Sequence, residues 1–236
     1  MRTLKVLSAL LSYPDEALID AAPKFAAVLD SERLVAASCR CALDVLIDEV
    51  ATGDLYDLQE RYGLLFDRSK TLALHLFEHV HGESRDRGQA MVDLKAMYEN
   101  AGLVIDVNQL PDYVPLFLEF LSTRPLSEAG ELLGQTAHIF AALAERLGQR
   151  QSAYKAAFDT LVAIAADAPR REMVDELLKT PDSDPMDLLA LDAAWEEEEV
   201  RFGPGSQGQG VCGHEGLIAK LRHARRAVNS APSPQR

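Results

Sequence analysis

Cysteine is scarce: Cys39, Cys41 and Cys212 are the only three in 236 residues. So odd and sparse a set argues against a disulfide framework and fits a reducing cytoplasm. Cys39 and Cys41 sit two positions apart in a helical pattern, which turns them about 200° from each other and rules out a shared ligand. Cations are also few. Lys and Arg number 24 against 37 Asp and Glu, for a net charge of −13. This disfavours nucleic acid as a partner, because phosphate contacts need clustered Lys and Arg, and suits a basic partner. No uninterrupted apolar run reaches ~18 residues, so no membrane span is expected. The opening MRTLKVLSALLSYPDE carries a short apolar run, but Ser8 and Ser12 interrupt it and Tyr13-Pro14-Asp15 ends it. No A-x-A-like site follows, so it is not read as a signal peptide. G-x-x-x-x-G-K-[ST], a post-strand G-x-G-x-x-G and G-x-S-x-G are all missing, which leaves nucleotide-dependent and serine-hydrolase chemistry without support.

What the chain has is helical periodicity and enough apolar residues, 47%, for a core. Residues 3–12 read as a first helix ended by Pro14. Asp15–Leu29 reads as one helix bent at Pro23 or as two short ones. Ser31 is placed as the cap of a long helix reaching Ala51. Gly53 stops it and Asp54 caps the next, Leu55–Phe66. Thr71–Val80 has Leu72, Leu76 and Val80 at helical spacing. Gly82 and Ser84 mark a joint before a second helix, Ala90–Tyr98, which Gly102 ends. Val104–Val107 reads as a connector. Leu110–Leu121 starts at Pro111, a residue suited to a first helical turn. Ser127–Leu147, Gln151–Ala166, Arg170–Lys179 and Pro185–Val200 follow. Eleven acidic residues and one basic lie between Glu172 and Glu199, read as a solvated face. These patterns predict an all-α single-domain bundle of roughly ten or more helices over residues 1–202. A flexible Gly-rich linker, 203–216, and a short basic helix with a frayed tail, 217–236, complete the chain.

Two polar clusters stand out. One is HGESRDRG, residues 81–88, preceded by His79. Its Glu83, Arg85, Asp86 and Arg87 either cross-pair to fix a helix joint or offer both charge signs to a partner beside apolar surface. The other is Pro111-Asp112-Tyr113, which on composition alone is a helix start with Asp favoured by the helix dipole. HLFEH, residues 75–79, matches the H-x-x-E-H spacing. On a helix, His75 and His79 would share a face, with Glu78 as a base, but no third metal ligand is positioned. Cys212-Gly213-His214 does not close a metal site either.

HVHGESRDRGQAMVDL, residues 79–94, resembles the signature of the respiratory nitrate reductase assembly chaperones, the delta subunit family, within the TorD/DmsD-like chaperones of molybdoenzymes. LLSYPDE, YGLLFDR at 62–68 and LDAAWEEEEVRF at 191–202 resemble pieces of the same family. LPDYVPLFLEF resembles the wider group's E-P-x-D-H-type motif, with Asp112 on its Asp and Tyr113 in place of its His. Tyr keeps a ring and a polar handle but does not become cationic near neutral pH. The resemblance implies a TorD-like helical fold and a cytoplasmic chaperone that is not an enzyme and holds no resident metal or cofactor. It implies binding to the N-terminal segment of the apo nitrate reductase alpha subunit, promotion of molybdenum cofactor insertion, and delayed membrane docking. Transient contact with molybdenum cofactor biosynthesis proteins is compatible with it. A chaperone for a selenate, chlorate or hydrocarbon oxidoreductase is the alternative, with an H-x-x-E-H metalloenzyme far behind. A groove between helices would take an amphipathic peptide. Tyr62, Phe66, Tyr113 and Phe117 are the expected walls. Glu83, Asp86, Asp112 and Glu119 would meet the basic side. His79 and His81 would tune it, and Arg85 and Pro111 belong to the same site.

Overall fold

The computed structural model describes residues 1–80, 85–105 and 109–182, except for the side chains of Arg85 and Asp86. The described residues form an all-α domain whose centre is its longest helix. The helices are α1 (Arg2–Leu10), α2 (Glu16–Ala21), α3 (Phe25–Glu32), α4 (Ala37–Thr52), α5 (Leu55–Tyr62), α6 (Arg85–Asn100), α7 (Val114–Ser122), α8 (Leu126–Gln149), α9 (Lys155–Ile164) and α10 (Arg171–Leu178). Helix α8 packs along α9 and α10, while α1 lies across α3 and α7 and α4 reaches α2 and α9. Ala129, Leu133, Ala137, Phe140, Ala144 and Leu147 form one buried stripe of α8, and Leu132, Ile139 and Leu143 bury the side next to it. The helix keeps a polar side, with Glu128 and Glu131 exposed, as an amphipathic helix packed on a core does. No described helix is long and apolar enough to cross a membrane.

Helix starts follow side-chain chemistry where a cap exists. Asp15 accepts from the Leu18 N–H, and Asp54 accepts from the Tyr56 and Asp57 N–H groups. The start of α1 is capped from a distance: the Glu32 carboxylate accepts from the Arg2 N–H at 2.7 Å and the Thr3 N–H at 2.7 Å. Ser8 of α1 donates to the Pro115 carbonyl at 2.7 Å, which pins α1 to the first turn of α7.

Several sequence expectations need correction. Ser31 does not cap a helix running to Ala51. It lies inside α3, and the chain breaks at Arg33, whose left-handed backbone (φ 54°) closes that helix with an N–H bond to the Leu29 carbonyl. Pro23 falls in a 3-10 turn, Ala22–Lys24, that separates α2 from α3. Helix α5 continues past Tyr62 as a π-turn, Gly63–Asp67. Pro111 is not in the first turn of α7: it lies in a turn before it, Tyr113 is the N-cap, and Pro115 takes the first-turn position. The largest correction concerns Thr71–Val80, which is not a helix. It folds as two 3-10 turns, Lys70–Leu72 and Leu76–Glu78, joined by an extended stretch. The Pro185–Val200 helix, the 203–216 linker and the 217–236 tail lie outside the described residues.

His138, on α8, is 7% exposed. Burial, followed by the nearby Arg170 and His79 charges, holds its imidazole down at about 4. A depressed histidine costs nothing above its ordinary value of 6.5 and destabilises the fold as pH falls from there toward 4. The expected loss over that window is on the order of 3 kcal/mol. His138→Gln should flatten the acid limb of a urea-stability profile between those pH values, while leaving the neutral-pH stability within about 1 kcal/mol.

Candidate functional site

The stretch 71–80 cannot be helical because its backbone groups are bonded elsewhere. The Leu76 N–H donates to the Asp112 carbonyl at 3.0 Å, and the Val114 N–H donates to the Leu74 carbonyl at 2.9 Å. These bonds form an isolated antiparallel bridge between His75 and Tyr113. The Asp112 side chain completes the crossing. One oxygen accepts from the Phe77 N–H at 3.1 Å and the other lies 3.3 Å from His75 Nδ1. Asp112 is fully buried, while the His75 ring remains about a quarter exposed at 26%. A buried carboxylate is costly unless bonded and paired, and this one has both an N–H and an imidazole. The bond to Asp112 raises the His75 pKa above its ordinary value, with burial opposing and the Asp112 and Glu78 charges adding to the rise. The Tyr98 hydroxyl donates to the Pro111 carbonyl at 2.7 Å and so holds the turn from the other side.

An aromatic group extends from this crossing. The Tyr62 hydroxyl donates to the Leu11 carbonyl at 2.9 Å, leaving the Tyr113 hydroxyl, 3.1 Å away, to donate to Tyr62. Tyr13, about half exposed, meets the Tyr62 ring edge-on at 5.5 Å. Phe66 lies 4.9 Å from Tyr62 and 5.1 Å from Tyr154. Burial pushes the Tyr62 and Tyr113 phenols up, and Tyr154 up to about 12, so all three stay neutral near pH 7. His75 lies beside Tyr113 with ring centres 5.5 Å apart. The imidazole next to Asp112 therefore comes from position 75, while position 113 supplies a phenol.

Across Tyr98 lies an open, mostly apolar recess of about 130 Å³, lined by Tyr98, Leu103, Val104, Ile105, Leu116, Glu119 and Phe120. Val104 is 83% exposed, unusual for a valine beside a cavity, and Leu110 is also exposed. Glu119 is exposed on α7 and is the one acidic group among the lining residues.

The candidate residues divide accordingly. Tyr62, Phe66 and Phe117 lie in the core, and Pro111 and Asp112 are buried in the turn. Tyr113 is half-buried and Glu119 exposed. His79 is partly buried, with Nε2 at 2.8 Å from the Ala73 carbonyl, and burial lowers its pKa. His81 and Glu83 lie outside the described residues, as do the side chains of Arg85 and Asp86. The H-x-x-E-H face is corrected: His75 turns to Asp112 and His79 to Ala73, so the helical surface that would align them does not form. Sequence reasoning missed His75 as Asp112's partner, Tyr98 as its brace, and Tyr13. His75 was visible only as half of a metal pattern, and nothing local links residue 75 to residue 112.

The family model described as nitrate reductase delta subunit matches residues 24–160, more than half of the chain. The chain belongs to the nitrate reductase delta subunit family. Curated relatives agree. The "Nitrate reductase molybdenum cofactor assembly chaperone NarJ" of Escherichia coli K12 is 43% identical over 231 residues, 97% of this chain and 94% of that one. The "Probable nitrate reductase molybdenum cofactor assembly chaperone NarW" of the same strain is 41% identical over 86% of this chain and 84% of its own. The Bacillus subtilis 168 protein named "Probable nitrate reductase molybdenum cofactor assembly chaperone NarJ" is 30% identical over 73% of this chain and 93% of its own. The family match contains both halves of the crossing, 74–77 and 110–114.

Asp112→Asn should keep an acceptor for the Phe77 N–H while removing the charge that holds the His75 proton. The His75 titration, followed by NMR, should move down toward or below the ordinary 6.5, because burial then acts with less opposition. Stability should follow the same sign. A raised histidine contributes fully below 6.5 and loses its contribution as pH rises through its folded value. Wild type should therefore shed this contribution on the alkaline side, and Asp112→Asn should lack that step. Asp112→Ala also strands the Phe77 N–H and should cost about 1–3 kcal/mol in urea melts.

Proposed function

We propose that this protein is an assembly chaperone for nitrate reductase and acts on the enzyme before it is complete. The observation that carries the reading is the 43% identity to the Escherichia coli chaperone across 97% of this chain. The relatives' names specify nitrate reductase, which favours that client over other molybdoenzymes. The protein is not an enzyme on this reading, since its relatives are named as assembly chaperones.

In finer terms, the protein binds the N-terminal segment of the catalytic subunit, promotes molybdenum cofactor insertion, and delays membrane docking until assembly is done. The surface that supports this lies around the crossing. The recess on α7 takes apolar side chains, Glu119 at its edge meets a basic residue, and Tyr13, His75 and Tyr113 offer aromatic contact on the other side of the 110–113 turn. Tyr62, Phe66, Asp112 and Phe117 act from beneath by fixing that turn. An amphipathic helix or extended peptide with a cation beside its apolar face matches this chemistry. The acidic balance of the chain draws such a peptide in.

Titration calorimetry with the N-terminal peptide of the partner's catalytic subunit tests the reading. Wild type should bind saturably. Val104→Lys leaves the core untouched because the residue is exposed. It should weaken binding about tenfold, equivalent to about 1.4 kcal/mol, by removing apolar contact and adding repulsion. Glu119→Gln should weaken it by about 0.2–1 kcal/mol at low salt, and less as salt rises. No binding to wild type, or full affinity in Val104→Lys, would remove the recess from the reading.

A further inference from the structure

Two arginines one turn apart, Arg146 in α8 and Arg150 at its C-cap, hold the base of the site's irregular stretch. Arg146 is 4% exposed. Its Nη1 donates to the Thr71 carbonyl at 2.8 Å, and its Nη2 donates to the carbonyls of Leu177 at 2.7 Å and Thr180 at 3.0 Å. Arg150 grips Asp182 with two bonds, Nε to Oδ2 at 2.9 Å and Nη2 to Oδ1 at 2.7 Å. The Thr71 hydroxyl donates to the same Asp182 carboxylate and lies 2.8 Å from the Ser69 hydroxyl. Ser69 is fully buried and Thr71 nearly so. Residues 69–72 and 180–182, more than a hundred positions apart, thus share one clamp.

The clamp answers a need of the backbone. The stretch from Ser69 to His79 has only short 3-10 turns, so its carbonyls lack the regular partners a helix supplies. Arg146 takes Thr71, and His79 takes Ala73. Four residues beyond Thr71 stands His75, bound to Asp112. The paired, bidentate Arg150–Asp182 contact is mostly shielded, with side chains 17% and 23% exposed. That sets it apart from the solvated pairs of α6 and α9, which contribute little.

We propose that Arg146, Arg150 and Asp182 are positioning residues for the binding site, setting the Ser69–His79 stretch and tying it to the chain that leaves α10. The seven acidic residues from Asp184 to Glu199 follow directly in sequence. A contact that draws residues 180–182 away from α8 therefore releases Thr71, and an occupied site holds residues 180–182 in return. The proposal rests on the peptide-binding reading for its affinity readout but not for its backbone readout.

The test compares wild type, Asp182→Asn and Asp182→Glu in the full chain. Hydrogen exchange reads the amides of Leu72, Ala73, Leu76 and Phe77 against those of α1 and α4. In Asp182→Asn the first set should exchange roughly tenfold faster, the effect of losing one charge-assisted contact, with α1 and α4 unchanged. Affinity for the catalytic subunit's N-terminal peptide should fall by a similar factor. Asp182→Glu, which keeps the charge, should recover most of both. Unchanged exchange in a folded Asp182→Asn overturns the clamp. A uniform rise across the fold overturns it too, by making the contact one of general stability. A loosened stretch with full peptide affinity overturns its link to the site. Failure of wild type to bind the peptide counts against the peptide reading itself, and the exchange comparison still decides the clamp.

Discussion

The buried carboxylate of Asp112 is the contact on which the described architecture turns. It faces neither solvent nor the helix that follows it. It accepts from the Phe77 N–H and pairs with His75, so a stretch with helical spacing is held in another path. The competition is local and lopsided. A helix over 71–80 would satisfy its own backbone but would leave Asp112 buried without partners. An unpaired buried carboxylate costs far more than the modest net value of the helical hydrogen bonds surrendered. The Asp112 and Leu74 carbonyls then complete the crossing as ordinary backbone acceptors.

Buried charge does the same work at a second place. Arg146 answers three backbone carbonyls from two segments, as Asp112 answers a backbone N–H. One anion and one cation, supplied from opposite sides, hold the irregular backbone between Ser69 and His79. The regular helices lean first on apolar burial. Helices α1 and α8 are held by apolar stripes, α1 with the Glu32 carboxylate at its start, and these helices form the frame on which the irregular part rests. Apolar burial therefore fixes the helices, and a few buried ions fix the backbone that does not repeat.

Much of this was legible in the sequence, but not evenly. The boundaries of α1, α8 and α10 followed from periodicity, and the Asp54 cap and the Gly102 stop followed from local chemistry. Gly102 does adopt the left-handed backbone (φ 78°) that favours glycine. The stretch 71–80 is informative because its apolar spacing matches its burial while its backbone takes another path. Leu72 and Leu76 are buried, as a helix would have buried them. Periodicity reports which side chains go inward, not the path that takes them there. The break at Arg33 had no signal at all, since an arginine in the left-handed region is a consequence of packing rather than a preference. At the site, Asp112 was marked by the motif, whereas its partner His75 and its brace Tyr98 were not. Their roles depend on contacts between segments far apart in the chain, which no local window contains.

The arrangement also explains why a binding surface would sit here rather than on the frame. Helix backbones satisfy themselves and present only side chains. The crossing instead exposes an imidazole edge at His75, a half-buried phenol at Tyr113 and a nearby apolar recess, all standing on backbone fixed from within. Such a surface is rigid where it is anchored and open where it is not. That combination would lower the ordering cost of binding a short peptide of the kind proposed, because the protein side is fixed beforehand. The three histidines around it are biased in different directions by their surroundings. His75 is held toward the cation by Asp112, while burial holds His79 and His138 toward the neutral form. Near neutral pH the imidazole favoured for positive charge is His75, whose side chain is 26% exposed, while His138 is buried and favoured neutral. The charge the site presents is thus set by the same buried carboxylate that shapes its backbone.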